Sequence, residues 1–301
     1  MIRRLALGVL GLGASCVAYG VALEAHAFVV RRHTVPVLPT GSDPLRVLHL
    51  SDIHLLPGQK RKRDFLRGLA GLEPDLVINT GDNISAANAV EPLVESLRRL
   101  REVPGAFVFG SNDYDSPRFK LPTRYLASPT THPAGERPGD LPTEDLRDAF
   151  GGFGWLDLNN QRGTIKLAGG TIHLRGTGDA HQGRDVYADV AGPAPEDALT
   201  IGVTHAPYLR ILDAMTSDGI GLVLAGHTHG GQVCLPGKGA LTTNCDLPAE
   251  HASGLFVHEA GPGAARVNVS AGIGMSPFAP YRFACPPEVS LLTLVPRSGP
   301  M

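Results

Sequence analysis

The first half of the chain alternates short apolar runs with segments of helical periodicity. Three strands are predicted there, at residues 46–50, 75–79 and 106–109, and two helices, at residues 59–72 and 86–101. Leu76-Val77-Ile78 is apolar without alternation, which is typical of a strand buried on both faces. Pro92 lies inside the second helical segment and marks either a kink or the true start of that helix. Strand, helix, strand, helix, strand at this spacing predicts two βαβ units and a parallel sheet.

The second half is richer in strands. Seven short strands are predicted, at residues 164–167, 171–175, 199–203, 221–224, 254–258, 265–269 and 289–294, together with helices at 141–150 and 208–215. Residues 28–37 alternate weakly and predict an edge strand. Residues 114–140 are rich in proline, serine and threonine and show no periodicity, so we expect a long loop near the site. The chain is therefore expected to form one α/β domain over residues 29–301.

The N-terminal residues 1–28 form a separate segment in this interpretation. Residues 5–23 are apolar without a charge and follow Arg3-Arg4, a length that suits a bilayer-spanning helix. We expect a membrane anchor. A cleaved signal peptide ending at Ala25-His26-Ala27 and a buried core helix are the alternatives. Arginines lie on both sides of the run, so charge does not decide which side of the membrane the domain occupies.

Composition excludes few functions. The 301 residues carry a formal net charge of −2, so nothing global indicates a nucleic-acid partner. The four cysteines lack Cys-x-x-Cys spacing, which argues against a cysteine zinc site. Cys234 and Cys245 flank a Pro-Gly-Lys-Gly turn, and they would pair in an oxidising compartment or otherwise remain free thiols.

Ligand-type side chains follow several of the predicted strands. Seven candidates share this position: Asp52, His54, Asp82, Asn112, His205, His227 and His229. They exceed what one tetrahedral zinc ion would use and suit two metal ions bridged by one carboxylate, best assigned to Asp82. Mixed carboxylate, amide and imidazole ligands suit Mn, Fe or Zn. Two such cations would clamp a phosphoryl group and lower the pKa of a bridging water, which predicts metal-assisted phosphoester hydrolysis.

The motifs read Asp52-Ile53-His54, Gly81-Asp82, Gly110-Ser111-Asn112-Asp113, His205 and Gly226-His227-Thr228-His229. In this order they resemble the calcineurin-like metallophosphoesterase superfamily. The sequence Gly-His-Thr-His-Gly-Gly-Gln from Gly226 and the terminal Pro-Tyr-Arg-Phe-Ala-Cys-Pro-Pro-Glu-Val from Pro280 resemble its membrane-associated bacterial branch. The resemblance covers residues 44–295 and implies a four-layer α/β/β/α sandwich. It also implies that Asp52, His54 and His229 hold one metal. Asn112, His205 and His227 would hold the other, with Asp82 between them.

One motif departs from the family pattern Gly-Asn-His-Asp. Aligned without a gap, Ser111 takes the metal-ligand position and Asn112 that of the usual catalytic histidine. A slip by one residue keeps Asn112 as the ligand and brings Asp113 to the histidine position. We favour Asn112 as the ligand because an amide oxygen binds metals better than a serine hydroxyl. Either alignment lacks the histidine, so Asp113 is either the substitute acid or a turn carboxylate.

Weaker features leave further alternatives. His181 and Arg184 lie in a glycine-rich turn and are either structural or substrate contacts. The basic cluster Lys60 to Arg63 is either a solvated helix face or a contact for an anionic partner. The enzyme expected here would act on phosphoesters, including membrane-associated ones such as lipid pyrophosphates. The alternative from another class is a non-catalytic metal-binding scaffold on the same fold.

Overall fold

The computed structural model describes residues 2–119 and 139–297. Its helices are α1 (Ile2–Ala22), α2 (Lys60–Gly68), α3 (Val90–Leu97), α4 (Ser111–Tyr114), α5 (Thr143–Gly151) and α6 (Leu209–Ser217). Its strands are β1 (Val29–Leu38), β2 (Leu45–Leu50), β3 (Leu76–Asn79), β4 (Gly105–Phe107), β5 (Leu156–Asp157), β6 (Arg162–Leu167), β7 (Gly170–Gly176), β8 (Thr200–Val203), β9 (Leu222–Ala225), β10 (Cys234–Leu235), β11 (Gly239–Ala240), β12 (Gly254–Ala260), β13 (Gly263–Val269) and β14 (Glu288–Pro296).

Two six-stranded mixed sheets form the centre of the domain. The first has the order β1-β14-β2-β3-β4-β5, and the second has the order β12-β13-β9-β8-β7-β6. β2, β3, β4 and β5 run parallel, as do β7, β8, β9 and β13. The predicted α/β fold with parallel βαβ units is confirmed. β10 and β11 form a separate two-stranded hairpin.

The hydrophobic core has three main layers. The middle layer is shared by the two sheets, with Val47, Ile78 and Val203 among its buried residues. On the outer face of the first sheet, α2, α3 and α5 pack through side chains such as Leu66, Leu93 and Leu146, and α6 covers the second sheet through Ile211 and Leu212. Helices therefore lie outside a pair of facing sheets.

One helix boundary differs from the sequence prediction for a physical reason. α3 begins at Val90, which places Pro92 in the first turn, where its missing N–H breaks no helical hydrogen bond. Of the predicted loop 114–140, residues 120–138 lie outside the described residues.

The N-terminal segment is helical as far as Ala22 and then turns into β1. Tyr19 packs edge-on against Phe283, and Glu24 accepts hydrogen bonds from the backbone N–H groups of Ala284 and Cys285. The C-terminal end of α1 is therefore attached to the segment that precedes β14. Among residues 2–119 and 139–297, no helix combines the length and apolarity needed to cross a bilayer.

A buried histidine joins the two sheets. His49 on β2 accepts a hydrogen bond at Nδ1 from Asn268 on β13, at 2.9 Å, and its Nε2 lies 3.0 Å from the hydroxyl of Thr80. This pairing assigns a neutral ring with the proton on Nε2. Burial lowers the pKa of His49 to about 4 because the charged imidazole would lose its hydration.

We expect His49 to make the folded chain sensitive to acid. The pKa of His49 is lower in the folded state than in the unfolded state, so unfolded chains bind more protons below pH 6.5 and stability falls toward pH 4. From pH 7 to pH 5, the free energy of unfolding should fall by about 2 kcal/mol more in the wild type than in the variant His49→Gln. Urea unfolding at both pH values measures this. An equal loss in the two proteins would contradict it.

Candidate metal centre

The seven predicted ligands all lie just beyond the carboxyl ends of strands. β2, β3 and β4 of the first sheet and β8 and β9 of the second lead into the turns that carry Asp52, His54, Asp82, Asn112, His205, His227 and His229. Ligand sites of open α/β sheets form at these ends. Because the two sheets face each other with these ends together, residues 177 positions apart, such as Asp52 and His229, become neighbours.

One group of side chains converges closely. Ligand atoms of Asp52, His54, Asp82 and His229 all lie within 4.8 Å of one another, and this is the group of acidic, histidine and cysteine side chains found among the described residues that could hold a metal ion. His54 Nε2 is 3.3 Å from Asp82 Oδ2, and His229 Nε2 is 3.6 Å from Asp52 Oδ1.

A second set lies on the other side of Asp82. Asp82 Oδ2 is 3.6 Å from His205 Nε2, and that nitrogen is 3.3 Å from His227 Nδ1. Asn112 donates its side-chain N–H to Asp82 Oδ2 at 2.7 Å, and a half-turn of the amide would bring its oxygen to the same place. The carboxylate of Asp82 therefore faces both sets, as a bridging ligand must.

The donor atoms fit metal ions. His54 Nε2 and His229 Nδ1 are buried without a hydrogen-bond partner, although unpaired buried polar atoms are costly. His205 Nδ1 donates to the carbonyl of Thr80 at 2.8 Å, and this hydrogen bond directs Nε2 toward Asp82. His227 is oriented by Asn244, whose carbonyl is 3.3 Å from Nε2. Outer partners of this kind orient the ligating nitrogen of metal-binding histidines.

The ligand turns have an unusual backbone. Asp52, His54, Asp82, His227 and His229 have φ values of +48°, +44°, +56°, +70° and +50°. Residues other than glycine avoid this left-handed region, at a cost of about 1–2 kcal/mol each. Such conformations persist only where surrounding contacts enforce them, and they cluster at functional sites.

Asp113 holds two of these turns in place. Its carboxylate accepts hydrogen bonds from the backbone N–H groups of Asp82, Asn83 and Gly110 at 2.7–3.0 Å. The side chain is fully buried. Burial, followed by the negative charge of Asp82, raises the pKa of Asp113 to about 7. Asp113, which was considered from the sequence as a possible acid, therefore faces backbone N–H groups.

Lys62 supports the turn of His54. It is buried, and its ammonium group donates to the carbonyls of Ile53 and His54 at 2.7 and 3.2 Å. Its neighbours in the basic cluster are paired, Lys60 with Asp64 and Arg63 with Glu95. The cluster is therefore not a uniformly solvated face, because Lys62 points inward while Lys60 and Arg61 are exposed.

Arg282 supports the opposite side of the site. This fully buried guanidinium donates to the carbonyls of Ala271, Gly272 and Gly274 at 2.7, 3.1 and 2.6 Å. Gly274 in turn donates its N–H to the carbonyl of Asp52 at 2.6 Å. No role was expected for Arg282, whose one signal in the sequence is its place in the terminal motif that begins at Pro280.

Two glycines allow the turns to approach each other. A Cβ on Gly226 would overlap Ser51 Oγ and Asp52 Oδ2, and a Cβ on Gly110 would overlap Asp82 Oδ1 and the ring of His205. The glycine before each of these ligand motifs is therefore required by contact with a ligand on another strand.

Hydrogen bonds connect the interface between the sheets to Asp52. Thr80, which contacts His49, donates its hydroxyl proton to Ser51 at 2.7 Å, and Ser51 donates to Asp52 Oδ2 at 2.5 Å. The backbone N–H of His227 also donates to both oxygens of Asp52, at 3.2 Å to Oδ1 and 3.0 Å to Oδ2. Both oxygens of this carboxylate are therefore oriented by the protein.

Charges at the centre are mutually dependent. Burial opposes the charge of Asp82, but the imidazoles of His205 and His54 outweigh it and hold the pKa of Asp82 well below its usual range. Burial likewise opposes protonation of His205, and the carboxylates of Asp82 and Asp52 overcome it, raising its pKa to about 9. Burial, followed by His181 and His205, lowers the pKa of His227.

A cavity of about 360 Å³ opens onto the centre. His54, Asp82, Ser111, Asn112, His181, His227 and His229 line its polar part. The ring of His181 lies 4.4 Å from that of His227, and its Nδ1 is 3.0 Å from the hydroxyl of Tyr208. His181 therefore lies on the cavity wall, whereas Arg184 stacks on Tyr114.

The mouth of this cavity carries exposed apolar side chains beside the exposed Arg118. Leu241 and Phe278 line it and are 52% and 51% exposed. Phe278 contacts Phe119, which is 65% exposed, edge to face at 6.4 Å. Nothing in the hydrophobic periodicity singled out these residues, because single exposed apolar side chains in loops are common.

Comparisons with known proteins agree with this geometry. Residues 45–231 match the family described as calcineurin-like phosphoesterase. Over 305 residues the chain is 25% identical to the uncharacterized metallophosphoesterase YkuE of Bacillus subtilis, covering 98% of this chain and 94% of that protein. It is 26% identical over 286 residues to the phosphodiesterase YaeI of Escherichia coli, covering 89% and 88%.

A third relative is the transmembrane protein with metallophosphoesterase domain of Bos taurus, 30% identical over 210 residues. That alignment covers 66% of this chain and 44% of the bovine protein. Enzymes of the matched family depend on two metal ions, which the Asp and His cluster provides for. The chain is a metallophosphoesterase and belongs to the calcineurin-like phosphoesterase family.

Proposed function

We propose that the chain hydrolyses phosphoesters with two divalent cations held by the seven converging side chains. Asp52, His54 and His229 hold one cation, Asn112, His205 and His227 hold the other, and Asp82 is shared. The observation that carries the proposal is the position of Asp82, whose Oδ2 lies within 3.6 Å of imidazole nitrogens from both sets.

The chain's own residues prepare this site for phosphoryl chemistry. When bound, the two cations supply positive charge for the phosphoryl oxygens and activate a water molecule. The oriented imidazoles and the fixed turns keep the ligand geometry from relaxing, so little reorganisation is needed during the reaction. Ser111 and Asn112 line the same wall and are placed to contact the phosphoryl group.

The leaving group needs a proton donor, because the usual histidine is replaced. Asp113 is a poor candidate, since its oxygens are occupied by backbone N–H groups inside the protein. His181 lines the cavity beside His227 and is oriented by Tyr208. We therefore assign His181 to the leaving-group side of the site and Asp113 to positioning of the Asp82 turn.

Removing the shared carboxylate should abolish turnover. We expect Asp82→Asn to lower kcat for bis(4-nitrophenyl) phosphate with Mn²⁺ at least a hundredfold, because the amide loses the negative charge that faces both cations. Metal content by plasma mass spectrometry should fall with it. His258→Gln, which removes a histidine paired with Asp213 outside the site, is the control and should retain activity.

The alternative scaffold function has its own signature in these measurements. A wild-type chain that binds metal but hydrolyses no phosphomonoester or phosphodiester with Mn, Fe or Zn would favour the scaffold and contradict the proposed hydrolase.

The dependence of the rate on the leaving group shows which residue donates the proton. Across a series of aryl phosphates, His181→Asn should lose little activity on 4-nitrophenyl esters and at least tenfold more on phenyl esters, since poor leaving groups depend on proton donation. Asp113→Asn should lower kcat equally across the series, because it disturbs the turn. A uniform loss for His181→Asn would reduce that residue to a structural role.

The exposed apolar side chains at the mouth support a substrate with an apolar substituent beside the phosphoryl group. We expect the double variant Leu241→Ser with Phe278→Ser to raise KM about tenfold for a phosphoester bearing a long alkyl chain. The reason is that the alkyl chain would lose its apolar contact with two large side chains, which costs over ~1 kcal/mol of binding free energy. KM for a short ester should not change. Val257→Ser, at an exposed site on β12, is the matched control.

Attachment to a membrane also remains a proposal. It rests on the apolar run 5–23 and on the exposed Val17, Tyr19, Val21 and Leu23 of α1 and the turn after it. The bovine relative is named a transmembrane protein. Extraction of the full chain from cells without detergent would argue against it.

A further inference from the structure

A second cavity, of about 400 Å³, lies on the other side of the His229 turn from the substrate cavity. The hairpin β10–β11, residues 249–253 and residues 284–288 form its walls. Two cysteines, Cys234 and Cys285, line it, and each is 7% exposed. A dithiol at a solvent-connected cavity is a chemically reactive feature that phosphoester hydrolysis does not use.

The two thiols are neighbours. Cys234 and Cys285 pack together with Ala271 in one small buried cluster. Both sulfurs also contact the carbonyl oxygen of Gly230, at 3.1 Å for Cys234 and 3.5 Å for Cys285. The backbone N–H of Cys234 donates to the carbonyl of Phe283 at 2.8 Å, so the two chain segments are held side by side.

The remaining cysteines lie elsewhere. Cys245 is buried against α6 in a different hydrophobic cluster, and Cys16 is on α1. All four are free thiols in this structure. Of the two alternatives considered from the sequence, free thiols are the one observed, and Cys234 shares its cluster with Cys285 and not with Cys245.

Charges of both signs line the cavity. Arg31 and Lys238 line it together with Glu250 and Glu288, and Arg31 is paired with Glu288 at 3.0 Å. Small biological disulfides carry carboxylate groups that cationic side chains attract. Lys238 on the exposed turn of the hairpin is placed to meet such a group at the entrance.

We propose that Cys234 and Cys285 form a thiol–disulfide exchange site, oxidised to an intramolecular disulfide by a small carboxylate-bearing disulfide such as glutathione disulfide. One cysteine sulfur attacks the reagent, forms a mixed disulfide and releases one reagent thiol. The second cysteine then displaces the other reagent thiol and closes the Cys234–Cys285 bond. Two S–H protons and two electrons pass from the protein to the two released thiols.

The site has a structural connection to the metal centre. Cys285 donates to the carbonyl of His229 at 3.3 Å, and Cys234 donates to that of Gly230. Oxidation removes both S–H donors from the turn that carries His229. Thiol–disulfide exchange at this cavity does not require hydrolysis at the metal centre, so it can be measured without an activity assay.

Peptide mapping tests the site directly. The purified full chain is equilibrated with glutathione disulfide, free thiols are alkylated, and peptides are identified without reduction. We expect a Cys234–Cys285 peptide, loss of two of the four free thiols, and full reversal by dithiothreitol. A Cys234–Cys245 peptide, or four thiols retained after equilibration, would overturn the proposal.

Variants give a second readout. Cys245→Ser should form the same linked peptide as the wild type, because that thiol is not involved. Cys234→Ser should stop at a mixed disulfide between Cys285 and glutathione, released by dithiothreitol. If Cys234→Ser is folded by circular dichroism yet Cys285 takes up no glutathione, the cavity does not admit the reagent and the proposal fails.

Discussion

The metal centre depends on buried side chains that force the ligand turns into left-handed conformations. Five ligands have positive φ, and each would relax if it were held only by its own strand. Asp113, Lys62 and Arg282 supply the restraint by hydrogen-bonding to backbone groups beside the ligands. Charged groups are suited to this work because charge-assisted hydrogen bonds to the backbone are stronger than neutral ones. The desolvation of these charges is the cost of holding open a geometry that only metal ions complete.

The same arrangement explains why the ligands are scattered along the chain. Each sheet brings the carboxyl ends of its parallel strands to one edge, and the two edges meet. His49 links the sheets through Asn268, and the hydrogen bonds continue through Thr80 and Ser51 to Asp52. A polar network of this kind fixes how the sheets sit on each other, because a shift would leave its buried members unpaired. The position of Asp52 and the packing of the two sheets are therefore one structural property.

Much of this could be predicted from the sequence, and the remainder has a physical explanation. The parallel strands were predicted because each is a short apolar run, a local pattern, and four of the candidate ligands that follow them converge in the structure. Lys62 was not predicted, since a run of basic residues does not reveal which one a helix turns inward. Cys234 and Cys285 meet in one buried cluster although they lie 51 positions apart, whereas the sequence offered only a pairing with Cys245 or free thiols. Hydrophobic periodicity carries no information about such contacts between loops.

The altered Gly110-Ser111-Asn112-Asp113 motif can be understood by separating its two tasks. Asp113 anchors the Asp82 turn from inside the protein, and Asn112 contacts the shared carboxylate through both its backbone and its side chain. Structural support and contact with the centre are thus present without a histidine. Proton donation is a separate task that any suitably placed imidazole can perform. His181 follows β7 of the second sheet and reaches the same cavity from the opposite side. A group lost from one strand end can therefore be replaced from another, because all the strand ends at this edge open onto one space.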